Sequence, residues 1–123
     1  MSNKHCLIVD DSDLIRRVAK QLLNALHFDT SEAVDGADAL ARCRMAMPDA
    51  ILLDWSLPEL SGLDCLHALR LLPGGDRPVI VYCTTDNDPV EFRRARNAGA
   101  NEVLVKPYDR AMLRQKLIDA GVI

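Results

Sequence analysis

Short hydrophobic runs alternate with amphipathic stretches along the chain. Four of the runs consist mostly of β-branched or other aliphatic residues: CLIV at 6–9, AILL at 50–53, VIVYC at 79–83 and EVLV at 102–105. Runs of this kind are typical of strands that are buried on both faces of a sheet. In a weaker run, FDTSEAV at 28–34, hydrophobic residues alternate with polar ones, and this pattern predicts a strand at the edge of the sheet.

The segments between these runs carry helical patterns. The apolar positions of residues 13–26 follow the i, i+3, i+4 spacing of one helix face and are Leu14, Ile15, Val18, Leu22, Leu23 and Leu26. The opposite, polar face is expected to carry Arg16, Arg17, Lys20 and Asn24. Capping signals predict two more helices, which begin at SGLD (61–64) and at DPVE (88–91), the second of them ending at Gly99. Helices at about 36–47 and 109–120 complete the pattern.

Alternating strands and helices with short loops predict an α/β fold built from five βα units. Such a chain forms a doubly wound five-stranded parallel sheet with helices on both faces. The polar second strand fits the order 2-1-3-4-5, in which the order of the strands reverses between strands 1 and 3. We therefore expect a ligand crevice at the carboxyl ends of those two strands.

Composition narrows the class of protein. The chain has 123 residues, of which 49% are hydrophobic and 27% charged, and its net charge is -3, as in an ordinary globular domain. A single domain spanning 1–123 is expected. The start MSNKHC lacks the apolar segment of a signal peptide, and no apolar run approaches the length of about 20 residues that crosses a membrane. These features predict a cytoplasmic protein that does not bind membranes.

Two further classes of site are disfavoured by the residue types. Cys6, Cys43, Cys65 and Cys83 form no CxxC pair, which favours buried reduced thiols over a metal site or disulfides. Mild acidity without a basic block argues against nucleic acid as a partner, because binding to a duplex requires clustered Lys and Arg.

Polar side chains follow four of the predicted strands at the point where each strand ends. They are Asp10 and Asp11, Asp54, Thr84, and Lys106. The carboxyl ends of parallel strands share one edge of the sheet, so three carboxylates would meet there and require a compensating cation. Mg²⁺ suits a site that has few protein ligands and room for water. Lys106 and Thr84 would then hold an anion such as a phosphoryl group above the metal. Each residue alone is an ordinary turn or cap residue, and only their conjunction supports this interpretation.

In these segments the sequence resembles the receiver domains of two-component response regulators, over essentially the whole chain. The resemblance rests on LIVDDSDLIRR at 7–17, LLDWSLPELSGLDCL at 52–66, VIVYCTT at 79–85 and VLVKPYD at 103–109. It implies a flavodoxin-like receiver fold. The D-W-x-x-P form around Asp54 is most similar to stand-alone receivers of the chemotaxis type.

The resemblance also implies a role for each residue of the predicted site. Asp54 would be the phosphoacceptor, and Mg²⁺ would be held by Asp10, Asp11, Asp54 and the backbone carbonyl of Ser56. Contacts to the phosphoryl group would come from Thr84, Thr85 and Lys106, and the peptide bond that precedes Pro107 would be cis. Ser56 and Asp86 flank the site, where they would tune the rate of dephosphorylation.

The implied function is signalling rather than enzymatic turnover of an external substrate. A sensor histidine kinase or histidine phosphotransfer protein would supply the phosphoryl group, and the modified domain, expected to be a monomer, would bind a downstream protein that the sequence does not identify. The output surface implied by the family carries Arg93, Arg94, Arg96, Val103, Tyr108, Arg110 and Arg114. The same arginines also fit a solvated face.

Two departures from the family pattern leave alternatives open. Val103 stands where an aromatic switch residue is frequent, with Tyr108 as a candidate substitute, and Thr85 stands where a smaller residue is usual. One alternative is therefore a receiver-like scaffold that binds partners without phosphorylation. Another is a Mg²⁺-dependent aspartyl-phosphate phosphatase of the haloacid dehalogenase type, although Ser56 stands where those enzymes carry a second aspartate. A receiver excised from a longer regulator is a variant of the leading hypothesis.

Overall fold

The computed structural model describes residues 3–123 and forms one parallel sheet in the order β2-β1-β3-β4-β5. The strands are β1 His5–Val9, β2 Asp29–Ala33, β3 Ala50–Asp54, β4 Val79–Thr84 and β5 Glu102–Val105. The helices are α1 Asp13–Ala25, α2 Gly36–Met45, α3 Gly62–Leu71, α4 Pro89–Ala98 and α5 Arg110–Asp119. The predicted fold class, strand order and polar edge strand are confirmed.

Two hydrophobic cores lie on the two faces of the sheet. Successive strand residues alternate between them, so that Leu7 belongs to one core and Ile8 to the other. Helices α2, α3 and α4 cover the first core, whereas α1 and α5 cover the second. Every residue of β3 is buried, as expected for the central strand of a doubly wound sheet.

The strand register brings the predicted polar residues to one level. Val9 of β1 pairs with Leu53 of β3, so Asp10 and Asp54 each follow at the next step. On the other side, Thr84 of β4 pairs with Val105 of β5, the residue before Lys106. The carboxyl edge of the sheet therefore gathers residues from four strands within one or two residues of the same height.

The face of α1 differs from the prediction. Leu14 and Val18 are 63% and 45% exposed, while Arg16, expected on the polar face, is only 7% exposed. The buried face runs instead through Arg16, Ala19 and Leu23, three positions with helical spacing. The assignment of Arg16 to the solvent face was wrong because its guanidinium donates to the Asp10 carbonyl oxygen, directly after β1, and to Glu32 on β2.

The other predicted helices and strands are present, with small shifts at their ends. Helix α2 stops at Met45 rather than 47, since Ala46 is already extended and Pro48 disfavours a helical residue before it. Ser61 and Asp88 cap α3 and α4, and Gly99 follows α4 with φ 120°. Among residues 3–123, no helix is long and apolar enough to span a membrane.

All four cysteines are buried free thiols, as predicted. Burial raises the pKa of Cys6 to about 12 and that of Cys43 to about 11. These side chains therefore stay protonated at neutral pH and pack as small hydrophobic groups.

Candidate functional site

Three carboxylates meet at the carboxyl edge of the sheet. Each of Asp10, Asp11 and Asp54 offers an oxygen, and these oxygens lie within 4.8 Å of one another. Asp10 and Asp54 are buried at the ends of β1 and β3, whereas Asp11 is exposed. The cluster thus has two fixed members and one that faces water.

Lys106 joins the two buried carboxylates. Its Nζ lies 2.6 Å from Oδ1 of Asp54 and 3.1 Å from Oδ2 of Asp10. Burial alone would lower the pKa of Lys106, but its hydrogen bonds and charge interactions with Asp54 and Asp10 outweigh burial and raise it. The ammonium is therefore charged at neutral pH and offsets part of the acidic cluster.

The pKa of the Asp54 carboxyl is raised, chiefly by burial, although the Lys106 ammonium opposes the shift. A desolvated carboxylate has lost the water shell that would otherwise shield its oxygens from a reaction partner. Asp54 is thus a carboxylate with little solvation beside a fixed cation.

Asp10 is held in place through its backbone as well as its side chain. Its N–H donates to Ala33 O at 3.2 Å, and its Oδ1 accepts from the N–H of Ser12 at 2.9 Å. Its carbonyl oxygen accepts from Nη1 of Arg16 at 2.7 Å. Sequence periodicity missed Arg16, although its spacing to Ala19 and Leu23 is a signal that could have placed it on the buried face.

Thr84 ends β4 beside the cluster and is buried. Its Oγ1 accepts a hydrogen bond from the N–H of Asp86 at 3.0 Å. Thr85 and Asp86 are exposed, as is Ser56 on the loop after β3. The threonine hydroxyl therefore ties the loop after β4 back to the end of its own strand.

The Lys106–Pro107 peptide bond is cis. Tyr108, next in sequence, packs against the core beneath α1 and α5. With Ile15, Val18 and Thr85 it lines an open cavity of about 360 Å³ beside Lys106. Tyr108 thus lies on the α1 side of the site.

Val103 is buried in β5, and its partner across the sheet is Tyr82 of β4. Both belong to the core under α4, against which Phe92 of that helix packs. Burial raises the pKa of Tyr82 to about 12. Position 103 lacks an aromatic ring, but one lies on the adjacent strand in direct register, which sequence analysis did not anticipate.

The arginines of the predicted output surface are all exposed. They are Arg93, Arg94 and Arg96 of α4 and Arg110 and Arg114 of α5. Arg94 pairs with Glu91 at 3.1 Å and Arg96 with Glu102 at 3.6 Å. The arginine side chains of these pairs are 64% and 48% exposed, and ion pairs that are open to solvent contribute little to stability, so these arginines are able to exchange partners.

The donor set of the acidic cluster fits a hard divalent cation. Carboxylate oxygens are the ligands that Mg²⁺ prefers, and a magnesium site needs only one or two of them besides water. The exposed Asp11 leaves one side open to solvent, while Asp10 and Asp54 are fixed.

Comparison with known proteins agrees with this geometry. The model of the response regulator receiver domain matches residues 6–118. The chain belongs to the response regulator receiver domains. Receiver domains of this family are signalling proteins of two-component systems rather than classical enzymes.

Related receivers include chemotaxis proteins. Chemotaxis protein CheY-3 of Vibrio cholerae is 34% identical over 116 residues, which cover 94% of this chain and 89% of that protein. Chemotaxis protein CheY of Pseudomonas aeruginosa is 34% identical over 112 residues, covering 90% of each chain.

Solved receiver structures superpose closely. CheY4 of Vibrio cholerae matches with a TM-score of 0.91 and 28% identity, covering 97% of this chain and 99% of that one. The receiver domain of a sensor histidine kinase from Pseudomonas aeruginosa, solved with a magnesium ion in its active-site cleft, matches with a TM-score of 0.87 and 28% identity. That match covers 98% of this chain and 99% of the other.

Proposed function

We propose that this receiver takes a phosphoryl group from a histidine kinase or a histidine phosphotransfer protein onto Asp54. The phosphorylated domain then signals by binding a downstream protein. The observation that carries the proposal is the 2.6 Å contact of Lys106 Nζ with buried Asp54, within a cluster of three carboxylates. A nucleophile, a fixed cation and a set of metal ligands are the parts that phosphoryl transfer requires.

In the transfer step, a carboxylate oxygen of Asp54 attacks the phosphorus of phosphohistidine. The new O–P bond forms as the P–N bond breaks, and the electron pair of that bond leaves with the imidazole. The product is an acyl phosphate on Asp54. The ammonium of Lys106 lies where it can shift from the carboxylate to a phosphoryl oxygen and stabilise its charge.

Mg²⁺ would be held by Asp10, Asp11, Asp54 and the backbone carbonyl of Ser56. When bound, it supplies positive charge to the oxygens of the transferring group. Support comes from the oxygen-rich cluster itself and from the magnesium-bound receiver of Pseudomonas aeruginosa at 28% identity.

The signal would end by hydrolysis of the acyl phosphate within the same site. Ser56 and Asp86 lie two residues beyond Asp54 and Thr84, and both are exposed on the loops that border the cluster. A water molecule that attacks the phosphorus would have to pass between these loops. We therefore assign to Ser56 and Asp86 the control of the dephosphorylation rate. The substrate of this hydrolysis would be the phosphoryl group that the protein itself carries.

Phosphorylation adds a charge of about -1.5 to -2 that requires new hydrogen-bond donors. The Thr84 hydroxyl already accepts from the N–H of Asp86 and keeps its own proton to donate. Movement of Thr84 and exposed Thr85 toward the phosphoryl group would break that bond and shift the loop that leads into α4. The downstream protein would then meet α4, β5 and α5, where the exposed arginines suit an acidic partner.

Thr84→Val is expected to keep phosphoryl acceptance but to lose this movement. Valine has nearly the same shape and stays buried, yet it can neither accept from the Asp86 amide nor donate to a phosphoryl oxygen. Amide hydrogen exchange of residues 85–88 and of Val90, measured with and without beryllofluoride and Mg²⁺, should change in the wild type and in Thr84→Ser but not in Thr84→Val. An equal change in Thr84→Val would contradict this role.

The proposal is tested by fluorescence of Trp55, which adjoins Asp54 and is 42% exposed. Beryllofluoride mimics a phosphoryl group on a carboxylate, so its addition with Mg²⁺ should change the Trp55 emission. The change should disappear when EDTA removes the metal. An unchanged emission of the wild-type protein at millimolar beryllofluoride and Mg²⁺ would overturn the phosphoacceptor assignment.

That outcome would favour the alternative of a receiver-like scaffold that binds without phosphorylation. The observation behind the alternative is the exposed Thr85 beside the cluster together with Val103 in place of an aromatic residue. The leading proposal also includes a single receiver domain spanning 1–123 that acts as a monomer. A cytoplasmic location belongs to it too, because a histidine kinase draws its phosphoryl group from cytoplasmic ATP.

A further inference from the structure

Helix α1 carries a buried arginine directly behind the acidic cluster. Arg16 is 7% exposed, and its guanidinium donates to three different groups. Nη1 donates to the carbonyl oxygen of Asp10 at 2.7 Å, and Nε donates to Oε1 of Glu32 on β2 at 3.0 Å. Nη2 donates to the carboxylate of Asp13 in the first turn of α1. Arg16 thus links α1, the end of β1 and the edge strand β2.

The carbonyl that Arg16 holds belongs to the peptide unit between Asp10 and Asp11. Because a peptide unit is planar, a hydrogen bond to its oxygen fixes the orientation of the whole plane. The Cα atoms of both acidic residues lie in that plane. One bond from Arg16 therefore restrains the bases of two side chains that belong to the acidic cluster.

Planarity makes arginine suited to this task. The guanidinium presents five N–H donors in a rigid fork, so the bonds to Glu32 and Asp13 set the direction of the donor that reaches Asp10. Burial of an unpaired charge would be costly, and the two carboxylates supply the pairing. Glu32 also has a fixed place, since it lies in β2 opposite Ile8 of β1.

We propose that Arg16 is a positioning residue that sets the geometry of the Asp10–Asp11 pair for cation binding, with Glu32 as its anchor. This inference rests on the proposed function, since it concerns the same acidic cluster. Residues that orient metal ligands typically change metal affinity by about 10- to 100-fold when they are replaced.

The sign of the effect separates positioning from simple charge. Arg16 is a cation close to a cation site, so through its charge alone it would repel Mg²⁺, and its removal would tighten binding. Loss of the orienting hydrogen bond acts in the opposite direction. Weaker binding after removal of Arg16 can therefore not arise from the change in net charge.

The test is a titration with Mg²⁺ alone, followed by Trp55 fluorescence. Arg16→Met should weaken the apparent Mg²⁺ affinity about tenfold. Arg16→Lys, which keeps the charge but not the fork, should also weaken it. The matched control is Arg17→Met, which removes the same charge from an exposed neighbour on α1 and should leave the affinity within about twofold or tighten it slightly.

A second measurement needs no metal. The Ser12 amide, which donates to Oδ1 of Asp10, should exchange its hydrogen faster in Arg16→Met than in the wild type. A role in global stability alone would lower the urea midpoint but leave the Mg²⁺ affinity of the folded protein unchanged. Glu32→Gln, which loosens the anchor without removing Arg16, should weaken Mg²⁺ binding less than Arg16→Met does. If Arg16→Met does not fold, the test is made with Glu32→Gln and Arg16→Lys instead.

The outcomes separate this inference from the proposed function. If the wild type responds to Mg²⁺ and beryllofluoride while Arg16→Lys and Glu32→Gln bind Mg²⁺ as tightly as it does, the positioning role is overturned and the phosphoacceptor role stands. If the wild type does not bind Mg²⁺, both are overturned. Weaker binding in the Arg16 variants with an unchanged Arg17→Met supports both.

Discussion

Asp54→Asn is expected to abolish the incorporation of phosphate from acetyl phosphate, by at least about a thousandfold, while the protein stays folded. An amide oxygen is not a nucleophile toward phosphorus, yet asparagine has the shape of aspartate and its Oδ1 can still accept from Lys106. Incorporation is measured as the gain in intact mass after incubation with acetyl phosphate and Mg²⁺. Urea unfolding shows whether the fold persists.

The electrostatics of the site argue that Asp54→Asn retains stability. Burial raises the pKa of the Asp54 carboxyl, which means that its charged form is desolvated in the folded protein. A neutral amide avoids that desolvation cost and the repulsion from Asp10, while the lost attraction is to a Lys106 that keeps its contact with Asp10. The urea midpoint should therefore stay equal to that of the wild type or rise.

Asp11→Asn is the matched comparison, because it also removes one negative charge from the cluster. Asp11 is exposed and would serve the metal rather than the phosphorus. Its replacement should reduce phosphate incorporation at low Mg²⁺ concentration, and incorporation should recover as the Mg²⁺ concentration is raised. Asp54→Asn should not recover at any Mg²⁺ concentration. A gain of one phosphoryl mass by Asp54→Asn would place the acceptor on another side chain.

The sequence predicted the fold to the extent that local patterns are decisive. β-branched runs such as VIVYC mark strands whose two faces are both covered, and the polar β2 had to lie at an edge. The convergence of Asp10, Asp54 and Lys106 follows from the same logic, because parallel strands deliver their carboxyl ends to one edge. What places these side chains in contact is the register, and short loops leave it little freedom.

Contacts between distant elements were beyond such patterns. Hydrophobic periodicity counts Arg16 as polar, yet its partners are Glu32 on β2 and Asp10 directly after β1, and their hydrogen bonds allow it to be buried. Because the side of α1 that carries Arg16 is buried, Leu14 and Val18 face solvent. Likewise, Tyr82 lies beside Val103 because of the register in which β4 and β5 pair. A residue-by-residue comparison with the family shows only that position 103 lacks an aromatic ring.

Gly62→Ala is expected to destabilise the protein by about 3 kcal/mol and to impair the site in the molecules that still fold. A Cβ on Gly62 would lie 2.6 Å from the carbonyl oxygen of Asp54 and 2.6 Å from Cα of Trp55. Both are backbone atoms at the end of β3, and the Gly62 N–H already donates to Trp55 O at 3.0 Å. No side-chain rotation relieves these contacts, so either α3 or the backbone of Asp54 must move. The expected results are a lower urea midpoint and slower phosphate incorporation at a temperature where the variant is folded.

Gly36→Ala provides the control, because Gly36 is likewise the first residue of its helix. The nearest atoms to a Cβ there belong to the Leu60 side chain, whose Cδ2 at 2.7 Å can rotate aside. Its Cβ at 3.1 Å and Cγ at 3.2 Å would have to shift by only a few tenths of an ångström. The same chemical change should therefore cost much less stability at Gly36, and phosphate incorporation should be unaffected. Equal destabilisation by both variants would indicate that the loss of glycine at the start of a helix matters, rather than the close approach of α3 to the strand that carries Asp54. With the larger loss at Gly62 alone, slower incorporation would mean that the position of the Asp54 backbone, set by this packing, limits the reaction.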